Sequence, residues 1–326
     1  MQEQRIIYSL APMEGITTAA MRRAHCKIFP GTDRYYSPFI ATGAGFLLKN
    51  KDRRSILPEN NRGLTLIPQL LSNNAEMFLK STEQLAEIGY REINLNLGCP
   101  SGTVSAKRRG AGFLADPAEM DRFFSAVFEG IPAVSERIGE EIRISVKTRI
   151  GIEDPEEAFR ILEVYNRYPI CELIVHPRVL KEYYKGSVHQ DIFISMYKDS
   201  KNPIAYNGDI RFAEDEQEIR KKCPGLGHVM IGRGLIRNPA LIRMLRGGMP
   251  PEKEEILRYL DVLLANTAEE IREERNQLGK MKDIWYHLGD LFSEDDRYLK
   301  KVRKATSVSV YRSAVEELVN RCEILY

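Results

Sequence analysis

Ile6-Ile7-Tyr8-Ser9-Leu10-Ala11-Pro12-Met13-Glu14-Gly15 is the stretch that separates two α/β folds. Its first half, residues 6–10, is an apolar run of strand length. A doubly wound sheet would follow that first strand with a glycine-rich phosphate loop. Ala11-Pro12-Met13-Glu14-Gly15 is not such a loop. Seven further strand-like runs occupy residues 35–39, 64–70, 93–97, 142–148, 173–176, 204–206 and 229–231. Most begin about 25–35 residues after the last, the size of a βα unit, with one longer interval between the fourth and fifth. Amphipathic segments such as 74–88 and 117–138 lie between them. Ser72 and Asn73 stand ready to cap the first of these, and Gly89 to end it. Eight units over about 240 residues predict an α/β fold, a (β/α)8 TIM barrel.

The 326 residues are 43% hydrophobic and 29% charged, which excludes a disordered or collagen-like chain. No apolar run is long enough for a membrane helix, and the polar Met1-Gln2-Glu3-Gln4-Arg5 looks like neither a signal nor a transit peptide. Cys26, Cys99, Cys171, Cys223 and Cys322 are odd in number and contain no C-x-x-C, so a reducing cytoplasm is expected rather than disulfides or zinc. The net charge of +2 means that any nucleic-acid footprint must be local. After Gly247-Gly248-Met249-Pro250-Pro251, read as a hinge, strand-like runs cease. Ile256, Leu260, Leu263, Leu264 and Ile271 form one helical stripe; Tyr311, Val315, Leu318, Cys322 and Leu325 form another. The division expected is a barrel over residues 1–248 and an all-helical C-terminal domain over 249–326.

Residues that close barrel strands at the carboxyl end form the functional mouth. In Ile142-Arg143-Ile144-Ser145-Val146-Lys147-Thr148-Arg149 the apolar residues alternate, which turns Lys147 and Arg149 to the opposite face: into the mouth, or simply out to solvent. Asn94 and Asn96 likewise share one face of their strand, as layer fillers or as the wall of a polar pocket. Cys99 follows between Gly98 and Pro100, in a turn off the strand end, where a thiol can give or take a proton. Lys107-Arg108-Arg109, in a loop of small residues, is either solvated or a phosphate clamp. His176 closes another strand, as a satisfied polar residue or as a donor to a phosphate or ring. Asn207-Gly208-Asp209 and Gly232-Arg233-Gly234 end the last two strands, where many barrels hold a phosphate. They imply a phosphorylated cofactor, with FMN the first choice. Gly43-Ala44-Gly45 reads as a turn without dinucleotide character.

Taken in order, Ala11-Pro12-Met13-Glu14-Gly15, the string from Asn94 to Leu114, Val146-Lys147-Thr148-Arg149, Asn207-Gly208-Asp209 and Gly232-Arg233-Gly234 resemble the bacterial tRNA-dihydrouridine synthases. Lys282-Asp283-Ile284-Trp285-Tyr286 and a later basic helix look like that family's RNA-binding domain. The resemblance implies an oxidoreductase in which NADPH, or NADH, reduces FMN, and reduced FMN then reduces uridines of tRNA to 5,6-dihydrouridine. It implies that Pro12, Met13 and Glu14 line the flavin, that Gln69 and Lys147 contact its ring, and that His176, Asn207, Gly208, Asp209, Gly232 and Arg233 hold the ribityl phosphate. Asn96, Arg149 and Tyr184 would meet the uracil, and Cys99 would protonate C5 as general acid. Lys107, Arg108 and Arg109 would contact RNA phosphates. Two departures from the family are Thr18, where relatives often carry an acid, and the unusual basicity of residues 107–109.

In the tail, Arg297, Lys300, Lys301 and Lys304 form one helical stripe with no acidic stripe interleaved, either a solvated helix face or a second phosphate track. A cytoplasmic monomer acting on tRNA is expected, with no metal, membrane or obligate protein partner. Competing readings are a flavin dehydrogenase of a free dihydropyrimidine-like molecule, the same chemistry on ribosomal RNA, and an RNA-binding protein with a vestigial flavin site. The helical tail argues against the first, and the intact Cys99 and Lys147 against the last.

Overall fold

A computed structural model describes residues 5–43, 50–293 and 296–326. The first four residues of the polar start, and Ala44 and Gly45 of the glycine turn, lie outside the described residues. The strands are β1 (Ile7–Leu10), β2 (Arg34–Tyr36), β3 (Ile40–Ala41), β4 (Leu66–Ile67), β5 (Gln69–Leu71), β6 (Glu92–Leu97), β7 (Arg143–Gly151), β8 (Glu172–Val179), β9 (Ile204–Tyr206) and β10 (His228–Ile231). All pair in parallel. β1 joins β10 on one side and β2 on the other; β2 joins β4, β3 joins β5, and β5 to β10 follow in sequence. The ring therefore closes, and it is the expected TIM barrel.

The second and third barrel strands, expected as single runs at 35–39 and 64–70, are each broken. Pro38 and Pro68 lie in the gaps, and proline has no N–H for a ladder. Pro68 still accepts from the Asn94 N–H at 2.9 Å, so the wall stays continuous.

Pleat alternation then sorts β7. Ile144, Val146 and Ile150 are buried in the large core under the helices, while Ser145, Lys147 and Arg149 fall on the other face, towards the axis. Ala11, Tyr36, Ile67, Ile174, Ala205 and Met230 pack together as a separate apolar cluster contributed by the strands. Around the ring, helix α1 (Ala19–Ile28) is capped by Thr18, whose hydroxyl accepts from the Met21 N–H, and α2 (Ala75–Glu87) by Asn74. Ser72 and Asn73, expected to cap it, are instead engaged with the Asn74 backbone and with Lys107 and Arg109 respectively. The long fourth interval holds α3 (Pro117–Ile138), capped by Asp116, and α4 (Arg233–Arg237) follows β10.

Four more helices complete the chain: α5 (Lys253–Glu270), α6 (Glu274–Leu288), α7 (Asp296–Lys304) and α8 (Val308–Arg321). Trp285 donates to the Tyr311 hydroxyl at 2.8 Å in the middle of this bundle. Two members of the expected stripes drop out. Ile271 lies past the end of α5, and Leu325, past the end of α8, is 42% exposed. The tail is fastened to the barrel by hydrogen bonds from Asn266 to the Ala20 carbonyl (3.0 Å), from Lys280 to Gly15 (3.1 Å) and from Arg237 to Asp290 (3.1 Å). The Gly/Pro segment is a clasped turn rather than a free hinge. Arg243 donates to the carbonyls of Met249 and Pro250 and pairs with both oxygens of Glu255.

Gly234, in the first turn of α4, packs so closely on β9's exit that a Cβ would overlap the Ile210 carbonyl oxygen. Gly234→Ala should therefore cost about 1–3 kcal/mol, the usual range for forcing atoms into a filled site. Thermal unfolding reads it as a lowered Tm; an unchanged Tm would show that this contact yields freely.

Candidate active site

A cavity of about 660 Å³ opens at the carboxyl ends of the strands. Pro12, Met13 and Glu14 reach it from the loop after β1, Gln69 from β5, Asn96 and Cys99 from the end of β6, and Lys147 and Arg149 from β7. His176 and Tyr184 come from β8 and beyond, Asn207, Gly208 and Asp209 from after β9, and Gly232 and Arg233 from after β10. The strand-end reading thus brings these residues together. It does not bring in Lys107, Arg108, Arg109, Lys300 or Lys301, none of which lines the cavity.

The Cys99 turn is built by side chains from below. Asn96 Oδ1 accepts the N–H groups of Gly98 (3.1 Å) and Cys99 (2.9 Å), and the Cys99 carbonyl accepts from Ala111 (3.0 Å). Gly110 lies against this turn with φ +56°, and a Cβ there would meet the Cys99 oxygen at 2.8 Å. Half-buried, the thiol has its pKa raised by burial, against the weaker opposing pull of the Ser101 backbone and Arg149. It is a thiol, not a thiolate, at neutral pH, which suits a proton donor.

The other wall is cationic. Burial, and then the Arg149 charge, lower Lys147 to about 7. Arg149 is itself buried and donates to three backbone carbonyls, Gly98 (2.9 Å), Val179 (2.9 Å) and Tyr183 (2.6 Å), with its guanidinium 5.2 Å from the Tyr184 ring centre. His176 bonds the Asn207 carbonyl through Nδ1 at 2.7 Å, so Nδ1 carries the proton. Burial, then Arg149 and Lys147, hold its pKa well below the ordinary value, so the ring is neutral. Its Nε2 is buried with no hydrogen-bond partner in the protein. That atom is an acceptor. In this arrangement His176 offers the cavity an acceptor at Nε2.

The Asp209 side chain is held by arginines. Its carboxylate takes Arg178 on both oxygens (3.0 and 2.8 Å) and Arg233 on one (2.6 Å). Burial raises its pKa, but the Arg178 hydrogen bond and the two guanidinium charges outweigh that and hold it down. An anion so held repels a phosphate; it orients the two arginines that would attract one. Asn96 likewise has its carbonyl committed to the Cys99 turn. Of the loop cations, Arg108 pairs with Asp116 (3.1 Å) and Glu119 (2.9 Å), and Arg109 bonds Asn73 and the Thr42 carbonyl. On α7, Lys301 pairs with Glu317 at 2.7 Å, so the stripe's acidic partner exists but comes from α8.

Over residues 9–323 the sequence matches the dihydrouridine synthase (Dus) family. The chain belongs to that family. It is 28% identical over 301 residues to the tRNA-dihydrouridine(16) synthase of Ralstonia nicotianae, covering 86% of this chain and 89% of that protein. The synthase of the same name from Neisseria meningitidis serogroup A is 28% identical over 338 residues, covering 98% and 97%. Among solved structures, histamine dehydrogenase from Rhizobium sp. 4-9 superposes with a TM-score of 0.54 at 13% identity, over 85% of this chain and 48% of that one. Morphinone reductase does so at 0.50 and 14% identity, over 76% and 87%. At such identities the likeness is one of fold. The dihydrouridine synthase family makes this chain an oxidoreductase, and no described helix is long and apolar enough to cross a membrane.

Several residues of the site escaped the sequence reading. Arg178 is fully buried beside Asp209, behind the cavity wall, and Tyr183, Lys185 and Arg211 line the cavity. Tyr286 and His287 enter the lining from α6 of the tail, with Tyr286 73% exposed.

The raised thiol pKa has a direct readout. Alkylation of Cys99 by iodoacetamide, followed by peptide mass spectrometry, should show a midpoint above that of a free cysteine, about 8.5. A midpoint well below 8 would mean that the cations of the wall dominate over burial.

Proposed function

We propose that this dihydrouridine synthase reduces uridine in tRNA, with FMN as cofactor, NADPH as reductant and Cys99 as the general acid to C5. The observation that carries the reading is a protonated thiol facing one cavity with a buried, uncompensated lysine and an acceptor-only histidine. The residues fit a flavin mononucleotide. Nε2 of His176 lacks a donor, which a ring N–H or a ribityl hydroxyl supplies. Lys147 lacks an anionic neighbour, and a cation beside the ring's N1/O2 edge favours the reduced, anionic flavin. Arg233, oriented with Arg178 by Asp209, suits the phosphate, together with the backbone around Gly232. Pro12, Met13, Glu14, Gln69, Asn207 and Gly208 wall the rest.

Bound there, FMN supplies the two-electron reduction of the uracil 5,6 double bond. This chain's residues do the remainder. Cys99 gives its proton to C5, Arg149 and Tyr184 offer a cationic and an aromatic surface to the base, and Asn96 keeps the thiol at the mouth. The base must leave its stack to arrive, at a cost of a few kcal/mol. Phosphate contacts from Lys107, Arg108, Arg109, Lys300 and Lys301 offset it, with residues 1–248 as catalytic domain and 249–326 as RNA-binding domain. Exposed ion pairs such as Lys301–Glu317 are worth about 0–1 kcal/mol, so a phosphate can replace the partner. The names of the relatives point to position 16 of tRNA as the target.

Purified protein with FMN, NADPH and unmodified tRNA should form dihydrouridine, mapped by position. Cys99→Ala should slow that by about 10²–10⁴-fold, the usual worth of general acid catalysis, while NADPH oxidation without RNA continues. Undiminished dihydrouridine formation by the variant would remove Cys99 from the mechanism. Charge reversal at both Lys300 and Lys301 should weaken tRNA binding and flatten its salt dependence by about 0.7–0.9 log–log units per lost contact. An unaltered slope would place the RNA elsewhere on the tail.

A further inference from the structure

Beneath the Cys99 turn runs a chain of buried polar side chains whose orientation can be worked out atom by atom. Backbone N–H groups only donate, so the Asn96 atom facing Gly98 and Cys99 is the oxygen. Its Nδ2 therefore faces Gln69 at 2.7 Å, and the Gln69 atom there is Oε1. Gln69 Nε2 then donates to Asn94 Oδ1 at 2.8 Å, and Asn94 Nδ2 to the Ser145 hydroxyl at 2.9 Å. No amide in the series can flip without placing two donors or two acceptors face to face. The register aligns them: Gln69 lies beside Asn94, and Asn94 beside Ser145, on adjacent strands β5, β6 and β7.

Asn94 and Ser145 are fully buried and do not line the cavity, so no bound molecule touches them there. Ile67, Ile174, Ala205 and Met230 form an apolar cluster among the strands, and Ser145 has the buried Glu172 beside it on β8. Two polar groups in that setting are costly unless satisfied, and here each is satisfied by the next.

We infer that Asn94 and Ser145 are positioning residues for the thiol: they hold the Gln69–Asn96 amide pair in one orientation, and that pair holds the Cys99 turn. The inference rests on the reading of Cys99 as the acid for its catalytic half only. Its geometric half is tested without substrate.

The experiment compares Asn94→Leu, Asn94→Asp and Ser145→Ala in the full chain, with folding checked by thermal unfolding. Asn94→Leu is close in shape and removes both hydrogen bonds. It should make Cys99 alkylation at pH 8 several-fold faster as the turn loosens, and slow dihydrouridine formation by up to about 10²-fold, the effect of a small misplacement at a reacting group. Asn94→Asp is the rescue. As a neutral acid its carbonyl accepts from Gln69 and its hydroxyl donates to Ser145, so the chain keeps its direction, and both readouts should return towards the parent values. Ser145→Ala should shift both readouts the same way as Asn94→Leu but less, and it carries the comparison if the leucine variant does not fold.

Parent-like alkylation and turnover in folded Asn94→Leu, or in Ser145→Ala where that stands in for it, overturn the inference. Impairment of Asn94→Asp equal to that of Asn94→Leu does so too. If Cys99→Ala still reduces uridine normally, the functional reading fails, while the alkylation rates still decide whether Asn94 holds the turn.

Discussion

The buried guanidinium of Arg149 joins three strand-end segments through one side chain. Its donors reach Gly98 before the thiol, Val179 at the end of β8 and Tyr183 beyond it. Tyr183 sits at φ +52°, in the left-handed region that a non-glycine residue adopts at a cost. Its carbonyl is turned to the arginine, so the charge-assisted hydrogen bond offsets local backbone strain. Tyr184, the next residue, is thereby presented at the rim, with Arg149 and Arg233 each about 5 Å from its ring centre. The thiol and the aromatic wall of the cavity are thus set by one side chain, and the pleat of β7 sets that side chain.

Charge is distributed around this clasp in a way that leaves the cavity short of anions. Lys147, Arg149, Arg178 and Arg233 face it or stand just behind it, while of the lining carboxylates, Glu14 and Asp209, the second is already shared by two of them. The low dielectric of the site makes that imbalance large: it depresses Lys147 to about 7 and keeps His176 neutral. A group with acceptor oxygens beside Lys147 would favour the charged form of the lysine. Cys99 lies at the margin of this field. Burial raises its pKa more than the nearby cations lower it, and the same cavity holds a cationic wall and a protonated thiol.

The barrel was legible because period-two alternation survives in β6 and β7, where a wrong register would have pointed Asn96, Lys147 and Arg149 at the helices. Cys99 was legible because glycine and proline on either side place it in a turn. What was not legible depends on contacts between distant residues. β8 was read as ending at His176, but it runs to Val179, which hid Arg178 as an apparent loop residue. The roles of Asp209 and Arg108 follow from partners 8 to 31 residues away, which no local pattern contains. The direction of the His176 ring follows from a carbonyl on another strand. The proline breaks at Pro38 and Pro68 could have been read from the residue type alone, since proline is poorly placed inside a buried strand.

The tail belongs to the site as well as to the surface. Lys280 of α6 bonds the carbonyl of Gly15, at the end of the loop whose Pro12, Met13 and Glu14 line the cavity. His287, the last residue but one of the same helix, lines the cavity, and burial and then the Arg233 charge lower its pKa. The same helix therefore touches the loop through Lys280 and the cavity through Tyr286 and His287. Trp285, the neighbouring residue, is locked to Tyr311 of α8 by a buried hydrogen bond, so the helix cannot rotate without disturbing the bundle. Any ligand that shifts the tail must then shift Lys280 and His287 together. Coupling between the tail and the cavity needs no further pathway than this one helix.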